Sequence, residues 1–208
     1  MKEQQDYLKD ISEIKKLMEK STRFLSLSGL SGVLIGMYAL AGVAIAHFTM
    51  GYSAALERGI MEDGLKNNRD ISDLIILAIA ILILSLGTGY WFSHQKSVTT
   101  GQKIWNPASR TMMWHFGVPL ATGGCVMLIL LSRGMIDWLA PASLLFYGLA
   151  LYSISRFTFA ELKGLGLLEL SLGLLGMAFP TYGLWLWALG FGVGHIIYGF
   201  YIYQKHEK

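Results

Sequence analysis

Two side chains with acid–base chemistry stand alone inside long apolar runs. Glu169 lies in KGLGLLELSLGLLGMA (163–178) and His195 in LWLWALGFGVGHIIYGF (184–200). A very short turn, Phe179-Pro180-Thr181-Tyr182-Gly183, joins the runs. Counted outward from that turn along two helices, at ~1.5 Å per residue, their depths differ by only ~4–5 Å. A carboxylate beside an imidazole can bind a proton, a cation or a small polar ligand. The same two groups can instead pair and simply lock two helices together. His115 opens another apolar run, Arg156 and Glu161 border the same level, and Tyr198 lies one turn from His195. The candidate ligand- or proton-binding set is therefore Glu169, His195, His115, Arg156 and Tyr198, grouped around a polar pocket expected to open toward the cytoplasm.

Small residues share the faces of the two central groups. Gly166, Glu169, Gly173 and Gly176 fall at i, i+3, i+7 and i+10, and Gly192, His195 and Gly199 at i, i+3 and i+7. Glycine rows let helices approach closely in lipid. Glu169 and His195 are accordingly expected to face protein, and each other.

Other chemistries lack a constellation. The five histidines (His47, His94, His115, His195, His206) are scattered without an HxxxH or HExxH pair, and no metal ligand set is expected. A haem held between two helices needs two histidines at one depth, for which His115 and His195 are the available pair. No serine sits in GxSxG. GLGLLELSLG follows no strand, so it is not a dinucleotide loop. The single cysteine, Cys125, excludes an internal disulfide and reads as a packing residue. No cofactor is expected, and no enzyme.

The elements that must position these groups follow from composition. Of 208 residues, 53% are hydrophobic and only 15% charged, where soluble domains carry about a quarter. Charges cluster between apolar runs, as in a polytopic α-helical membrane protein whose spanning backbone satisfies its own hydrogen bonds. The net charge of +3 is no nucleic-acid footprint, because the basic residues flank apolar runs. The fold class is all-α, with six transmembrane helices at about 24–48, 71–93, 112–132, 136–155, 163–179 and 182–203, and a tail at 204–208. Gly29, Gly32, Gly36 and Ala39 give the first span a small-residue packing face. Asp70, Ser72 and Asp73 offer caps for the second, Asn106-Pro107 a start for the third, and Asp137 a cap for the fourth. Pro119 and Gly123-Gly124 invite a kink in the third.

Residues 1–23 are too polar for a cleavable signal. They read as a cytoplasmic amphipathic helix whose seam is Tyr7, Ile11, Ile14 and Met18. Such a helix docks on loops or headgroups, or pairs with a second copy. Lysine and arginine number thirteen on one side of the expected topology and four on the other. The positive-inside rule then puts both terminal segments in the cytoplasm.

Four stretches together are similar to a family of bacterial six-span inner-membrane proteins: STRFLSLSGLSGVLIGMYALAG (21–42), GQKIWNPASR (101–110), LLFYGLALYSISRFT (144–158) and ALGFGVGHIIYGFYIYQKHE (188–207). The resemblance covers nearly the whole chain. It implies the six-span topology and the bacterial inner membrane, and it carries over no catalytic or binding residue. Separately, GLLELSLGLLGMAFPTYGL (166–184) is weakly similar to the hairpin repeat of a bacterial acid-resistance membrane family. Two functional hypotheses follow from different classes. The first is binding or transport of a small polar ligand, ion or proton at the Glu169/His195 pocket. The second is an interaction module in the lipid bilayer, acting through a homo-oligomer or a partner docked on the N-terminal helix.

Overall fold

The computed structural model describes residues 28–50, 68–99 and 105–208, and every regular element among them is helical. The expected amphipathic helix at 1–23, the start of the first span at 24–27 and most of the polar loop after it lie outside the described residues. Six helices are present among the described residues: α1 Gly29–Thr49, α2 Asn68–Thr99, α3 Pro107–Ser132, α4 Leu139–Ile154, α5 Leu162–Ala178 and α6 Pro180–His206. Four of them, α1, α2, α3 and α6, are long and apolar enough to cross a membrane. Helices α4 and α5 are shorter, at 16 and 17 residues. Several long apolar helices with so much apolar surface turned outward describe a membrane protein.

The helix starts follow local chemistry. Asn106 caps α3 through a reciprocal capping box with Ser109, and Pro107 occupies the first helical position. Helix α3 then runs unbroken past Pro119. Two expected caps are displaced. The described part of α2 already begins at Asn68, so Asp70, Ser72 and Asp73 lie within the helix. Asp137 sits in a 3₁₀ turn, Ile136–Trp138, ahead of α4 and makes no side-chain cap. Partial burial raises its carboxyl above the ordinary value, against the lowering effect of a hydrogen bond from its own backbone.

Consecutive helices run antiparallel, as their contacts show. Tyr38 and Gly42 of α1 meet Thr88 and Ile81 of α2, and Gly123 of α3 meets Phe146 of α4. The closest packing is glycine on backbone. Gly148 of α4 lies against Gly166 and Leu170 of α5, Gly173 against Leu145, and Gly176 against Pro141. Gly29, Gly32 and Gly36 of α1 lie against Gly199, Tyr203, Gly192 and Ile196 of α6. The glycine rows thus work differently from expectation. The row of α5 packs on α4 and that of α6 packs on α1, while α5 and α6 meet through the middle of α6.

That middle is unusual. Within α6 a 3₁₀ turn (Pro180–Tyr182) and a short α segment (Gly183–Trp187) lead into a π-helical stretch, Ala188–Gly194, before α geometry resumes at His195. The stretch is ALGFGVG, and its three glycines relax the steric limits on a widened turn. Wide π turns occur mainly as single insertions and are frequent at functional sites.

The two ends of the bundle differ. At the end where α1 begins and α6 finishes, Glu207 accepts from the backbone N–H of Gly29 (2.7 Å), from Ser28 Oγ (3.2 Å) and from Lys96 Nζ (2.9 Å). A side chain from the tail therefore satisfies a free amide of the first helix and brings α2 to the same point. Beside it, Glu161 accepts from Lys205 Nζ (2.6 Å) and contacts His206 Nε2 (3.3 Å). Burial alone would raise the Glu161 carboxyl, yet hydrogen bonds from Lys205, its own backbone and His206 hold it below the usual carboxylate value. The opposite end is closed by an apolar cluster of Val43, Ala46, Ile136, Leu184 and Ala188. Cys125, read from sequence as a packing residue, is exposed on α3.

Candidate functional site

Glu169 is the eighth residue of α5, about 10 Å along the axis from Leu162 and about 13 Å from Ala178. It sits near mid-helix, on the buried face shared with Gly166, Leu172 and Gly173. Its exposure is 0%, and that of His195 is 3%. The π stretch places them together. Gly190, inside it, has no side chain, and a Cβ there would collide with the Glu169 carboxylate and with Leu144. The carboxylate fills the room left by that missing methyl group.

His195 makes three polar contacts. Its Nδ1 is 3.2 Å from the carbonyl oxygen of Gly190 and 3.4 Å from Glu169 Oε1, and its Nε2 is 2.9 Å from the hydroxyl of Tyr147 on α4. A carbonyl oxygen can only accept, so Nδ1 carries a proton. In the neutral imidazole Nε2 then accepts from the Tyr147 O–H. The Phe191 ring stacks on the imidazole (5.7 Å between centroids, 12°), and Tyr147 packs on Phe191 in turn (4.7 Å). Three elements thus fix one imidazole: the π turn, α4 and α5.

Glu169 is not satisfied in the same way. Neither of its oxygens has a hydrogen-bond partner among the described residues, because the Nδ1 contact is an ion-pair distance without hydrogen-bond geometry. An unpaired carboxylate out of water costs several kcal/mol, far more than a single hydrogen bond returns. The arrangement is therefore chemically poised. A proton arriving at Nε2 from the Tyr147 side makes an imidazolium, and the Nδ1 proton can pass to Glu169 Oε1, 3.4 Å away. The net change is one proton on the carboxyl group, with the imidazole neutral but now carrying its proton on Nε2.

The structure brings together two of the five candidate residues and places a third beside them. Tyr198, one turn beyond His195, packs with Tyr147 on the cluster of Leu151, Ile154, Leu162 and Leu165. Its hydroxyl is buried without a partner. His115 does not join the site. It is exposed on α3 and stacks on Phe157 (4.8 Å, 21°), so a haem bridge to His195 has no basis. Arg156 is exposed just past α4 and makes no contact with Glu169. Both are exposed, and both lie nearer the end of the bundle than Glu169, whose helix meets α4 around Gly148 and not at Arg156 or Phe157. Among the described residues Glu169 is enclosed, at 0% exposure, where the sequence predicts a pocket open to the cytoplasm. A surface groove of about 610 Å³ lies elsewhere, between Trp105, Arg110 and Trp114 at the start of α3. Among the described residues no group of His, Cys, Asp and Glu could hold a metal ion.

Tyr147 is the site residue that spacing alone did not single out. The signal was present: a phenol in the middle of LAPASLLFYGLALYSI needs a partner for its O–H. Its neighbour Gly148, which lets α5 approach, marks the face on which that partner had to lie. The described fold and site define an all-helical bundle with a buried carboxyl–imidazole–phenol cluster. No protein family, curated protein or solved structure matches this chain.

Proposed function

We propose that this chain is a non-enzymatic, six-span protein of the bacterial inner membrane whose activity centres on reversible proton binding at Glu169. The observation that carries this reading is the state of that carboxyl: wholly buried, with both oxygens lacking a donor, yet 3.4 Å from an imidazole linked to Tyr147. Ionisable groups at membrane depth are costly and mark ion or proton sites. A larger ligand fits poorly, because Gly190 and Leu144 already fill the space beside the carboxylate. A proton requires no cavity.

Six crossings are supported by the alternating direction of α1 to α6. The 3₁₀ turn Ile136–Trp138 lengthens the α4 segment, and local thinning of the bilayer or snorkelling of flanking side chains accommodates short helices. The start of α1 and the end of α6 meet through Glu207 and Gly29, as an even number of crossings requires. Lys96, Arg110, Arg156, Lys163 and Lys205 gather at that same end, which favours placing it in the cytoplasm.

Infrared difference spectroscopy of the protein in lipid, titrated against pH, tests the reading. The expected result is a carboxylic-acid C=O band that appears and disappears with pH in the wild type and is missing in Glu169→Gln. A titrating band that persists in Glu169→Gln, or no titrating band in the wild type, would overturn it.

A further inference from the structure

The surroundings of Glu169 are asymmetric along the bundle axis. Toward the Pro180 turn its near neighbours are apolar: Leu144, Leu172 and Pro141, then the cluster of Val43, Ile136, Leu184 and Ala188. The polar pair on this side, Trp187 Nε1 donating to Ser143 Oγ (3.1 Å), is already satisfied. Toward the other end polar groups recur at each turn. His195 is followed by Tyr147 at 2.9 Å. Tyr198 comes next, on the same apolar cluster as Tyr147 and within electrostatic reach of both Tyr147 and Glu161. Glu161 is surface-connected, in contact with Lys205 and His206.

Two hydroxyls in this interval are buried without a partner, Tyr198 Oη and Thr158 Oγ1. Thr158 is 0% exposed and lies three residues before Glu161, in the connection from α4 to α5. Buried hydroxyls are ordinarily paired with protein or with an ordered water. Two orphans spaced between a closed acid–base pair and a surface carboxylate are what a hydrated proton path leaves in the protein. Apolar side chains hold the rest of that interval.

We propose that protons reach Glu169 from the end of the bundle marked by Glu161 and His206, through Tyr198, Tyr147 and His195, and that the opposite end is closed to them. The inference rests on the reading of Glu169 as a proton-binding group, and it adds the direction and the carriers. In one transfer a proton passes from a water at Tyr198 to the Tyr147 oxygen as the Tyr147 proton moves to His195 Nε2, and the Nδ1 proton moves to Glu169 Oε1. Tyr147 gains one proton and gives one up, the imidazole keeps its proton count but passes from the Nδ1–H to the Nε2–H tautomer, and the carboxyl gains the proton that the water gives up. The reset is the reverse transfer along the same row, in which the carboxyl proton returns to Nδ1, the Nε2 proton to Tyr147 and the Tyr147 proton to the water. The ionisable groups that face this row are Glu169 on α5, His195, Lys205 and His206 on α6, Tyr147 on α4, and Glu161 before α5.

Tyr198→Phe removes the hydroxyl and keeps the ring. The test is the rate at which the protonated Glu169 band shifts after a jump into heavy water, below the midpoint of its titration. Tyr198→Phe is expected to slow this shift by about a hundredfold or more, the lower end of the range for removal of a positioned proton carrier. Tyr90→Phe, exposed on α2, is expected to leave it unchanged. Should Tyr198→Phe fail to fold, Thr158→Val is read in the same way with the same expectation. An exchange rate equal to wild type in the folded variant overturns the path while the titrating band itself still stands. Loss of the titrating band from the wild type removes the site and the path together.

Discussion

Helices α1, α4, α5 and α6 and helices α2 and α3 draw on the same apolar residues but use glycine in opposite ways. Of the most apolar window of α1 and α6, 39% and 44% is buried, against 0% in α2 and 6% in α3. In the inner group Gly29, Gly148, Gly166 and Gly199 each bring a neighbouring backbone so close that a Cβ would strike it. In the outer pair Gly87, Gly89, Gly117 and Gly124 have nothing within 4 Å, and Gly123 meets a side chain, Phe146, rather than a backbone. Where glycine replaces side-chain volume, backbone meets backbone and an ionisable pair can be enclosed. Where it does not, Leu and Ile face outward and the helix serves as a lipid-facing wall. Close approach is thus the condition for the Glu169–His195 contact, which would otherwise be spread across the width of two full side chains.

The sharpest way to break that contrast is to put the same side chain on both kinds of glycine. Gly199→Leu must push apart the backbones of α1 and α6, and it is expected to cost more than about 3 kcal/mol, beyond ordinary overpacking. Gly87→Leu is expected to change stability by less than about 1 kcal/mol, since only helix propensity alters. Thermal midpoints in detergent measure both, and similar losses would dissolve the distinction between inner and outer helices. A smaller effect is expected where the tail ties the inner group to α2. Glu207→Ala removes the acceptor for Gly29 N–H, Ser28 and Lys96. Its expected cost is about 1–2 kcal/mol, the range for loss of a helix cap. Amide exchange at the start of α1 should rise with it.

The smallest effect concerns pH at the tail end. The Glu161 carboxyl is held below its ordinary value of 4.5 in the folded protein. Its ionised form therefore contributes stability above that value, and the contribution fades as pH falls through the lower folded value. The wild type should exceed Glu161→Gln in thermal midpoint at neutral pH, and the gap should close in acid. A gap independent of pH would mean that the Lys205 and His206 contacts contribute nothing.

Much of this architecture could be read from the residues. Six apolar runs separated by charge clusters give helices α1 to α6, since only helices satisfy backbone groups within such runs. Equal counting from Pro180 brought Glu169 and His195 to one depth, and they do meet. The same counting misplaced His115 and Arg156, which lie nearer the bundle end and are exposed, because depth counted along separate segments fixes height coarsely and leaves the direction around the helix free. The glycine rows announced close packing without naming the partner. The α5 row seats α4 and the α6 row seats α1, and it is the π turn at Gly190 that joins α5 to α6. A π insertion shifts the helical register by one residue, which a period of 3.6 carried through residues 183–206 cannot foresee. Glu207 at the start of α1 was also out of reach, because capping across 178 positions of sequence leaves no local mark.

The coupling between Glu169 and His195 is tested most directly by a double-mutant cycle. Thermal stability would be measured for Glu169→Gln, His195→Gln and the double variant, with Ser171→Ala as the control. Ser171 is exposed on the same helix and bonds only the carbonyl of Leu167. Contact between the two groups gives a coupling energy of about 0.5–3 kcal/mol, the range for residues that touch. The expected result is a value in that range, with Glu169→Gln changing stability more than Ser171→Ala does. Additive effects of the two single variants, or equal effects of Glu169→Gln and Ser171→Ala, would contradict the pairing on which the site depends.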